Sequence, residues 1–433
     1  MKRYDSYKDS GVKWLGEIPS HWEVKRLGSY FTERKVKVSD KEYEPLSVTK
    51  LGVFPQWENV AKTNDGDNRK LVKRGDFVIN SRSDRKGSSG VSDRDGSVSL
   101  INIVLQPRKT IIASYTNYLL KSYKFIEEYY RNGHGIVADL WTTRFDEMKM
   151  IKVAIPSIKE QEAIANYLDA ATSKIDEAIA QQQKMIDLLN ERKQIIINNA
   201  VTKGLDPNVP MKDSCIDWIG NIPVHWKVCK FNNVICILTD YTANGSFGDL
   251  AKNVHYQSEG YARLVRLTDL RENLQNENGV WVDRHGYDYL SKSSLFGGEL
   301  LMANVGAYSG LPCIMPKVDY PASLAPNMFL IKQDQEKITT DYLYFLLLSK
   351  SYFSWLQTIA LSSAQPKLNK DNIRSLPILL PPKSEQERIT NSIQQSLKPI
   401  EKAISISNNQ ISFLQERKQI IINDVVTGKV KVV

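Results

Sequence analysis

A ten-residue stretch that occurs twice places the strongest constraint on this chain. Residues 189–198 read LNERKQIIIN and residues 414–423 read LQERKQIIIN, so nine of ten positions are identical at an offset of 225. Self-similarity at a fixed offset means that one structural unit is used more than once. We therefore expect the chain to contain the same unit twice.

Two further motifs support this duplication. The pattern W-[LI]-G-x-I-P-x-H-W occurs at residues 14–22 and 218–226, an offset of 204. The pattern P-x-x-x-E-Q-E occurs at residues 156–162, and its proline and E-Q-E recur at 381–387, an offset of 225. The difference between the offsets means that the second repeat carries 21 additional residues between its shared ends. The shared ends of the two repeats predict one mechanical role that both repeats have in common. Their different interiors predict that each repeat recognises a different target.

Each interior is predicted to be a mixed α/β domain. Runs rich in β-branched and aromatic residues at 76–80, 99–105 and 298–303 favour strands, and the Gly, Asn and Asp clusters between such runs favour loops. Residues 115–130 and 341–355 each favour a helix.

A long amphipathic helix is predicted to close each repeat. Ser157 is suited to cap the first one, with Glu160 as its capping-box partner. At 1.5 Å per residue, such a helix measures roughly 65–70 Å. Its apolar residues alternate at spacings of four and three, as in a coiled-coil seam that also serves partner binding. These residues are Ile164, Leu168, Ile175, Ile186 and Leu189 in the first helix, and Ile393, Ile400, Ile404, Ile411 and Leu414 in the second.

The predicted fold class is α+β, with two mixed α/β domains separated by two long antiparallel helices that form a coiled coil. The alternative is that each helix folds back on its own domain. A threonine followed closely by a glycine ends both helices, at Thr202-Lys203-Gly204 and at Thr427-Gly428-Lys429, so the second repeat is expected to lead back into the first and to give a pseudo-two-fold arrangement. The segments are a first shared segment (1–24), a first domain (25–156), the first helix (157–203), a linker with the second shared motif (204–226), a second domain (227–381) and the second helix (382–433).

Charge and cysteine content bound the possible partners and compartment. Lys and Arg number 58 against 49 Asp and Glu, a net charge of +9, which favours a polyanionic partner such as nucleic acid. The four cysteines lack metal-ligand spacing and are expected to be reduced thiols. The sequence has neither a signal-peptide pattern nor an apolar run of about 18 residues, so a cytoplasmic location is expected.

Catalytic motifs are missing from the sequence. It contains no G-x-x-x-x-G-K-[ST] loop, no Asn-Pro-Pro-aromatic or Asp-Pro-Pro-aromatic tetrapeptide, and no nuclease-like carboxylate cluster with a lysine. His21 and His225 stand beside tryptophans at matched repeat positions, which favours packing over catalysis. We therefore predict a non-catalytic chain without a metal or cofactor of its own.

Candidate nucleic-acid contacts are basic, aromatic and carried by loops. Residues 82–90 and 304–310 are glycine-containing loops that follow strands at matched positions. Glycine lets the backbone approach a phosphate, and Arg82 or Arg85 could bind guanine O6 and N7. Two different loops at one structural place would recognise two sequences; the alternative is a pair of solvated hairpins. The candidates are Arg69, Lys70, Lys73, Arg74, Arg82, Arg85, Lys86 and Arg144 in the first domain, and Arg263, Arg266, Arg271, Asn304, Tyr308, Lys367 and Lys370 in the second.

Together these motifs resemble the specificity (S) subunits of type I restriction-modification systems, over nearly the whole chain. The resemblance rests on the W-[LI]-G-x-I-P-x-H-W motif, the P-x-x-x-E-Q-E helix start, the E-R-K-Q-I-I-I helix end and their duplicated order. It implies two target recognition domains, each reading one half of a bipartite double-stranded DNA target. It also implies that the helices set the spacer and dock two methyltransferase (M) subunits, with restriction/translocase (R) subunits as further partners. S-adenosylmethionine, ATP and Mg would be bound by those partners and not by this chain.

Two other functions compete with a DNA-reading subunit. One is a structural adaptor whose lobes bind proteins, and the other is a self-sufficient methyltransferase or nuclease. Arg82, Arg85 and Lys86 favour DNA over the adaptor, because a protein-binding lobe has no need of a basic loop. The missing motifs disfavour the enzyme.

Overall fold

The computed structural model describes residues 2–56, 66–135, 141–361 and 366–432. The chain divides into two compact units: unit 1 comprises Met1–Gln183 and Ser407–Val433, and unit 2 comprises Lys184–Ile406. Both units mix helices with sheets whose strand pairs are mostly antiparallel, with one parallel pair in unit 2, which confirms the predicted α+β class.

Unit 1 contains a four-stranded sheet of order β10-β9-β12-β4 beside a three-stranded sheet of order β11-β8-β5. Its short helices are α1 (Ala113–Lys121), α2 (Tyr123–Arg131) and α3 (Phe145–Met148), and the long helix α4 (Ile158–Lys203) begins in it. In the described part of this unit, the strands are β1 (Tyr7–Asp9), β2 (Glu17–Pro19), β3 (Glu23–Arg26), β4 (Phe31–Glu33), β5 (Lys37–Val38), β6 (Leu46–Val48), β7 (Val53–Pro55), β8 (Arg69–Val72), β9 (Phe77–Asn80), β10 (Ser89–Val91), β11 (Gly96–Val98), β12 (Asn102–Pro107) and β13 (Lys152–Ile155).

Unit 2 contains two four-stranded sheets, of order β17-β24-β21-β22 and β19-β18-β23-β20. In its described part, the strands are β14 (Met211–Asp213), β15 (Asn221–Pro223), β16 (Lys227–Lys230), β17 (Ile235–Asp240), β18 (Ala262–Val265), β19 (Val280–Val282), β20 (Ser294–Leu295), β21 (Leu300–Ala303), β22 (Pro312–Ile314), β23 (Ala322–Leu324), β24 (Met328–Gln333) and β25 (Pro377–Leu380). Its helices are α5 (Phe247–Asn253), α6 (Leu267–Arg271), α7 (Arg284–Tyr289), α8 (Thr340–Leu348), α9 (Lys350–Leu361), α10 (Lys370–Arg374) and the start of α11 (Lys383–Val426).

The prediction of one helix over residues 115–130 and one over 341–355 is wrong, because each is a pair of helices. Helix α1 ends before Ser122 and α2 begins after it, and Ser349 separates α8 from α9 in the same way. Both serines are fully buried, and each hydroxyl donates 2.7 Å to a carbonyl of the helix that precedes it. The hydroxyl therefore ends the first helix, although the apolar periodicity continues through the break.

The predicted strand at 99–105 is also partly wrong, because β12 begins only at Asn102. The backbone N–H of Asn102 donates 3.0 Å to the carbonyl of Ser99, which makes residues 99–102 a tight turn. Leu100 and Ile101 are its two central residues. Their apolar character resembles a strand, but the turn decides their conformation.

The two long helices α4 and α11 pack against each other in antiparallel fashion, as predicted. In unit 1, Ile175 of α4 shares a core with the last turns of α11, and Lys418 Nζ lies 2.7 Å from Asp176. In unit 2, the end of α4 shares a core with Ile400 in the first half of α11, and Lys193 Nζ lies 2.7 Å from Glu401. The two ion pairs occupy equivalent positions at the repeat offset of 225. The two ion pairs therefore fix the same register between α4 and α11 in each unit.

The duplicated motifs supply the contacts that hold each domain to its helix. In unit 1, the buried Gln161 side chain accepts from the Ile112 N–H at 3.1 Å and donates to the carbonyls of Thr110 and Pro156. In unit 2, Gln386 makes the equivalent three hydrogen bonds to Thr339, Lys337 and Pro381. The two glutamines of the E-Q-E motifs are therefore structural clamps.

The final asparagine of the duplicated helix stretch has a similar role in each unit. In unit 1, the Asn423 side chain accepts from the N–H of Lys124, at the start of α2. In unit 2, Asn198 accepts from the N–H of Ser351, at the start of α9. Each asparagine thus satisfies a free N–H in the first turn of a domain helix, a group that the helix itself cannot pair. The near-identity of the two stretches follows in part from this shared contact.

Glu160 differs from its predicted role, whereas Ser157 does not. The Ser157 hydroxyl accepts from the N–H of Glu160 at 3.4 Å, as expected of the cap. The Glu160 carboxylate accepts from the Tyr4 hydroxyl at 2.7 Å and from Trp22 Nε1 at 3.1 Å, and His21 Nε2 lies 3.0 Å away. The carboxylate therefore binds the first shared motif instead of closing a capping box.

The two chain ends meet inside unit 1. The backbone N–H of Lys431 donates 3.0 Å to the carbonyl of Lys2, and the Tyr7 hydroxyl donates 3.2 Å to the carbonyl of Lys429. This contact confirms the expectation that the second repeat leads back into the first.

Within the described ranges, every helix falls short of the combined length and apolarity that a bilayer span requires.

Replacing Gln161 by alanine is expected to lower the free energy of unfolding by about 2–4 kcal/mol, because one buried and two partly buried backbone groups lose their partner. The measurement is a chemical denaturation curve of the purified chain. The matched control is Gln181→Ala, at an exposed position of the same helix, which should change the free energy by less than about 0.5 kcal/mol. Equal effects of the two substitutions would contradict the clamp.

Candidate nucleic-acid interface

A basic cleft of about 600 Å³ lies on unit 1. Its cationic residues outnumber its two carboxylates, and apolar side chains complete the lining. Such a cleft concentrates positive potential and attracts a polyanion. The cations are Lys35, Lys37, Lys70, Arg82 and Arg144, and the carboxylates are Glu33 and Asp146. The structure therefore brings together Lys70, Arg82 and Arg144 from the predicted set.

Lys35 and Lys37 were missed by the sequence analysis. Lys37 lies directly opposite Lys70 in the pairing of β5 with β8, so their side chains share one face. Lys35 precedes Lys37 by two residues and lines the same cleft. The alternation Lys35-Val36-Lys37 was the signal available in the sequence.

Backbone hydrogen bonds hold the cleft segments in place. Arg82 and Thr142 form a β-bridge, and the N–H of Thr143 donates 2.9 Å to the carbonyl of Ser81. The N–H of Ser81 donates 3.2 Å to the carbonyl of Ile101. The exposed side chains of Arg82 and Arg144 are therefore carried by an ordered frame.

Lys70 lies deeper in the cleft than the two arginines. Its Nζ donates 3.2 Å to Glu33 and 2.8 Å to the carbonyl of Asn102. Lys70 therefore contributes positive charge to the floor of the cleft, whereas Arg82 and Arg144 can extend towards a ligand.

Arg69 and Arg263 are buried, contrary to the prediction that they contact DNA. Arg69 is 4% exposed, and its guanidinium donates to the hydroxyl and carbonyl of Ser97. Strand alternation directs it away from the face that Lys70 occupies, and burial lowers its pKa. Arg263 is 5% exposed and donates to Leu274 and Asn276. Both arginines stabilise the interior of their units.

Arg266 is also engaged within unit 2. Its Nε and Nη2 donate to the carboxylate of Asp269 at 2.9 and 2.8 Å, and this hydrogen bonding raises the pKa of Arg266. Burial would raise the pKa of Asp269, but the hydrogen bonds from Arg266 and Asn276 outweigh it and keep that pKa low. The Arg266 fork is therefore occupied by a carboxylate.

The remaining basic residues of unit 1 that were predicted to contact DNA lie outside the lining of the basic cleft. Lys73 Nζ lies 2.7 Å from Asp95, and Arg74 is held at its backbone by the same carboxylate. Arg85 is highly exposed, and Lys86 lies 2.7 Å from Glu127 in a separate cleft. The predicted loop 82–90 therefore presents Arg82 to the basic cleft and Lys86 elsewhere.

Unit 2 repeats the backbone frame of the cleft with different side chains. Val305 and Lys367 form a β-bridge equivalent to that of Arg82 and Thr142. The N–H of Asn304 donates 3.1 Å to the carbonyl of Asn327, and the N–H of Leu368 donates 2.8 Å to the carbonyl of Asn304. These bonds match those at Ser81. One frame therefore carries two chemically different surfaces.

The predicted residues around this second frame are exposed or half-buried, except for Asn304, which is buried. Lys367 is exposed, and Lys370 lies 3.1 Å from Asp240. Tyr308 is 44% exposed, with the Arg271 guanidinium 4.9 Å from its ring centre. Asn304 is buried, and its Oδ1 has no hydrogen-bond partner among the residues that the structure describes.

The predicted partner-binding residues of the long helices lie in the seam between the helices and their packed surfaces. Several are almost fully buried and unavailable to another chain; these are Ile164, Leu168, Ile175, Ile186, Ile393 and Ile400. The others, which are half-buried, are Leu189, Ile404, Ile411 and Leu414.

A different set of helix residues is exposed, and it is duplicated. In unit 2, Leu188 and Ile195 are 51% and 53% exposed, and in unit 1, Phe413 and Ile420 are 68% and 52% exposed. The pairs are related by the offset of 225, and a spacing of seven residues puts each pair on one helix face. We call these pairs the outer faces. These residues lie outside the seam, so the heptad spacing did not predict them.

Among the described residues, no group of three or more His, Cys, Asp or Glu side chains is arranged to hold a metal ion.

Comparisons with known proteins agree with this architecture. The family model described as the type I restriction modification DNA specificity domain matches residues 19–186 and again residues 275–412. The chain is similar to the type I restriction enzyme MjaVIII specificity subunit of Methanocaldococcus jannaschii, with 24% identity over 98% of this chain and 97% of that protein. It is also similar to the EcoDI specificity subunit of Escherichia coli, with 21% identity over 88% of this chain and 82% of that protein.

A solved structure shares the fold. It comes from a study of complex assembly and conformational transition of the type I R-M system. The TM-score is 0.66 at 12% identity, and the match covers 95% of this chain and 99% of the other. Because the two family matches take in well over half of the residues, the protein belongs to the family of type I restriction-modification specificity (S) subunits.

Proposed function

We propose that each recognition domain reads one half of a bipartite double-stranded DNA target, while the helix pair sets the spacer and docks two methyltransferase subunits. This chain carries no reaction chemistry of its own. S-adenosylmethionine, ATP and Mg are bound by the methyltransferase and restriction/translocase partners. The supporting observation is that one backbone frame, at Ser81 in unit 1 and Asn304 in unit 2, carries different side chains.

The basic cleft of unit 1 suits a duplex. Its exposed cations can neutralise phosphates, which supplies affinity that does not depend on sequence. Arg82 and Arg144 also reach the cleft from segments that the backbone holds, so either can present a planar fork to a base edge. In unit 2 the same place carries Lys367, Val305 and Asn327. Different groups at one place would select different bases.

The outer faces support docking of two copies of one partner. Glu191, Arg192 and Ile195 are exposed in unit 2, and the identical residues Glu416, Arg417 and Ile420 are exposed in unit 1. Packing inside the chain does not require such identity at solvent-facing positions. A partner that binds each repeat in the same way does require it. Exposed apolar residues with charged neighbours are also typical of a protein interface.

The helix pair is suited to fixing a distance. Helix α4 has 46 residues and α11 has 44, about 65–70 Å of rigid backbone at 1.5 Å per residue. Duplex DNA rises about 3.4 Å per base pair along each strand. A fixed helix length therefore corresponds to a fixed number of unread base pairs between the half-sites.

Exchanging residues 25–156 for the equivalent domain of another family member tests this proposal. The expected result is a target in which one half changes completely and the other half and the spacer length stay the same. The measurement is a map of methylated adenines in DNA from cells that make the chain with its methyltransferase subunits. The matched experiment exchanges residues 227–381 and should change only the opposite half. A change in both halves, or in neither, would contradict modular reading.

A further inference from the structure

Two large apolar residues lie in the mouth of the basic cleft of unit 1. Leu100 and Ile101 are the central residues of the turn between β11 and β12, and they are 42% and 41% exposed. Both line the cleft together with its five cations. An exposed apolar pair inside a strongly charged cleft needs an explanation, because exposed apolar patches mark contact surfaces.

The turn itself does not require these residues. Tight turns favour Gly, Pro, Asn, Asp and Ser at their central positions, for steric and hydrogen-bonding reasons. Unit 2 follows that preference, because Pro326 and Asn327 stand at the equivalent place and Asn327 accepts the equivalent backbone hydrogen bond. The same connection therefore folds with ordinary turn residues. The apolar pair belongs to unit 1 alone, as a recognition element would.

The pair is held in a defined position. The Asn102 side chain donates to both the carbonyl and the hydroxyl of Ser99, at 3.2 and 3.0 Å. The carbonyl of Ile101 accepts from the backbone of Ser81, and the carbonyl of Asn102 accepts from Lys70. The turn is therefore anchored from both sides, which suits a surface that must meet its ligand in one geometry.

We propose that Leu100 and Ile101 recognise a thymine through its 5-methyl group, in the half-site that unit 1 reads. This inference rests on the proposed function. The thymine methyl is the apolar group that base edges display in the major groove, and aliphatic side chains pair with it. The surrounding cations bind the phosphates on either side and bring the groove to the turn.

A wedge that intercalates between base pairs fits the geometry less well. Intercalating side chains insert between base steps and unstack them. More than half of the surface of Leu100 and of Ile101 is covered by the rest of the chain, so only part of each residue is free to contact DNA. Partial exposure of this kind suits contact with a methyl group on a base edge better than full insertion between base pairs.

Replacing single thymines by deoxyuridine tests the proposal, because deoxyuridine lacks only the methyl group. The full chain, assembled with its methyltransferase subunits, is titrated with target duplexes that carry one replacement at a time. At one position of the unit 1 half-site, affinity should fall about fourfold, the value expected for one buried methyl group. Replacements in the half-site of unit 2 serve as the first control.

Two variants identify the protein side of this contact. Leu100→Ala and Ile101→Ala should each bind the thymine target more weakly than the parent and should lose the sensitivity to deoxyuridine. Leu51→Ala is the matched control, since Leu51 is an exposed leucine that lines another cleft of unit 1, and it should keep that sensitivity. Melting temperatures show whether each variant is folded, and the deoxyuridine series on the parent complex needs no variant.

The outcomes separate this inference from the proposed function. Sequence-specific binding that no deoxyuridine replacement in the unit 1 half-site alters would overturn the thymine contact and leave the proposed function standing. Sensitivity retained in both alanine variants would also overturn it. Absence of sequence-specific DNA binding by the assembled complex would overturn the proposed function itself.

Discussion

Replacing Lys37, Arg82 and Arg144 together by alanine is expected to weaken binding of target DNA by about a hundredfold to a thousandfold. Each exposed cation in the cleft can neutralise one phosphate and release its counterion, and three such contacts are removed together. The slope of log affinity against log salt should become shallower by about 1 for each of these cations that contacts a phosphate, and so by about 1 to 3. The measurement is a series of binding titrations at several salt concentrations, with the chain assembled with its methyltransferase subunits.

The control for this triple variant removes the same charge elsewhere on unit 1. Lys50, Arg131 and Lys159 are exposed and line three clefts other than the basic one. Their alanine variant should keep the affinity within about threefold and nearly the parent salt slope, because distant surface charges are screened. Equal losses in the two triple variants would mean that overall charge, and not the cleft, governs binding.

Replacing both Ile195 and Ile420 by aspartate is expected to release the methyltransferase subunits without unfolding the chain. Each residue is about half exposed in the isolated chain, so an aspartate there stays solvated and costs little stability. Once a partner covers the outer face, the same carboxylate is buried without a counter-charge, and affinity should fall at least a hundredfold. Size-exclusion chromatography with light scattering measures assembly, and thermal unfolding measures stability.

The seam provides the contrasting variant. Ile400→Asp places a carboxylate where the parent side chain is only 6% exposed and packed in the core of unit 2. It should lower the free energy of unfolding by about 4 kcal/mol or more and should lose assembly as a consequence. Ile175→Asp is the equivalent change in unit 1. An Ile195/Ile420 variant that still assembles fully would exclude the outer faces as the docking surface.

Two neighbouring site residues show that burial could not be predicted from the sequence alone. Arg69 and Lys70 are adjacent and both cationic, yet one is buried against Ser97 and the other lies in the cleft. Which face of β8 is solvated depends on strands and loops distant in sequence. The break at Ser122 is likewise supported by Asn423, whose side chain accepts a hydrogen bond from the first turn of α2 across 299 positions. Local patterns carry no information about such contacts.

The sequence by itself determined the duplication, because the two copies can be compared directly. It also determined the two long helices and the seam, because heptad spacing is a local pattern that each helix satisfies wherever it lies. The net charge of +9 also favoured a polyanionic partner. Only the tertiary structure decided which cations share a cleft, that Leu100 and Ile101 turn into it, and which helix residues remain outside the seam. Those properties depend on side chains from separate segments coming together. Which of these side chains are buried is decided only when the chain has folded.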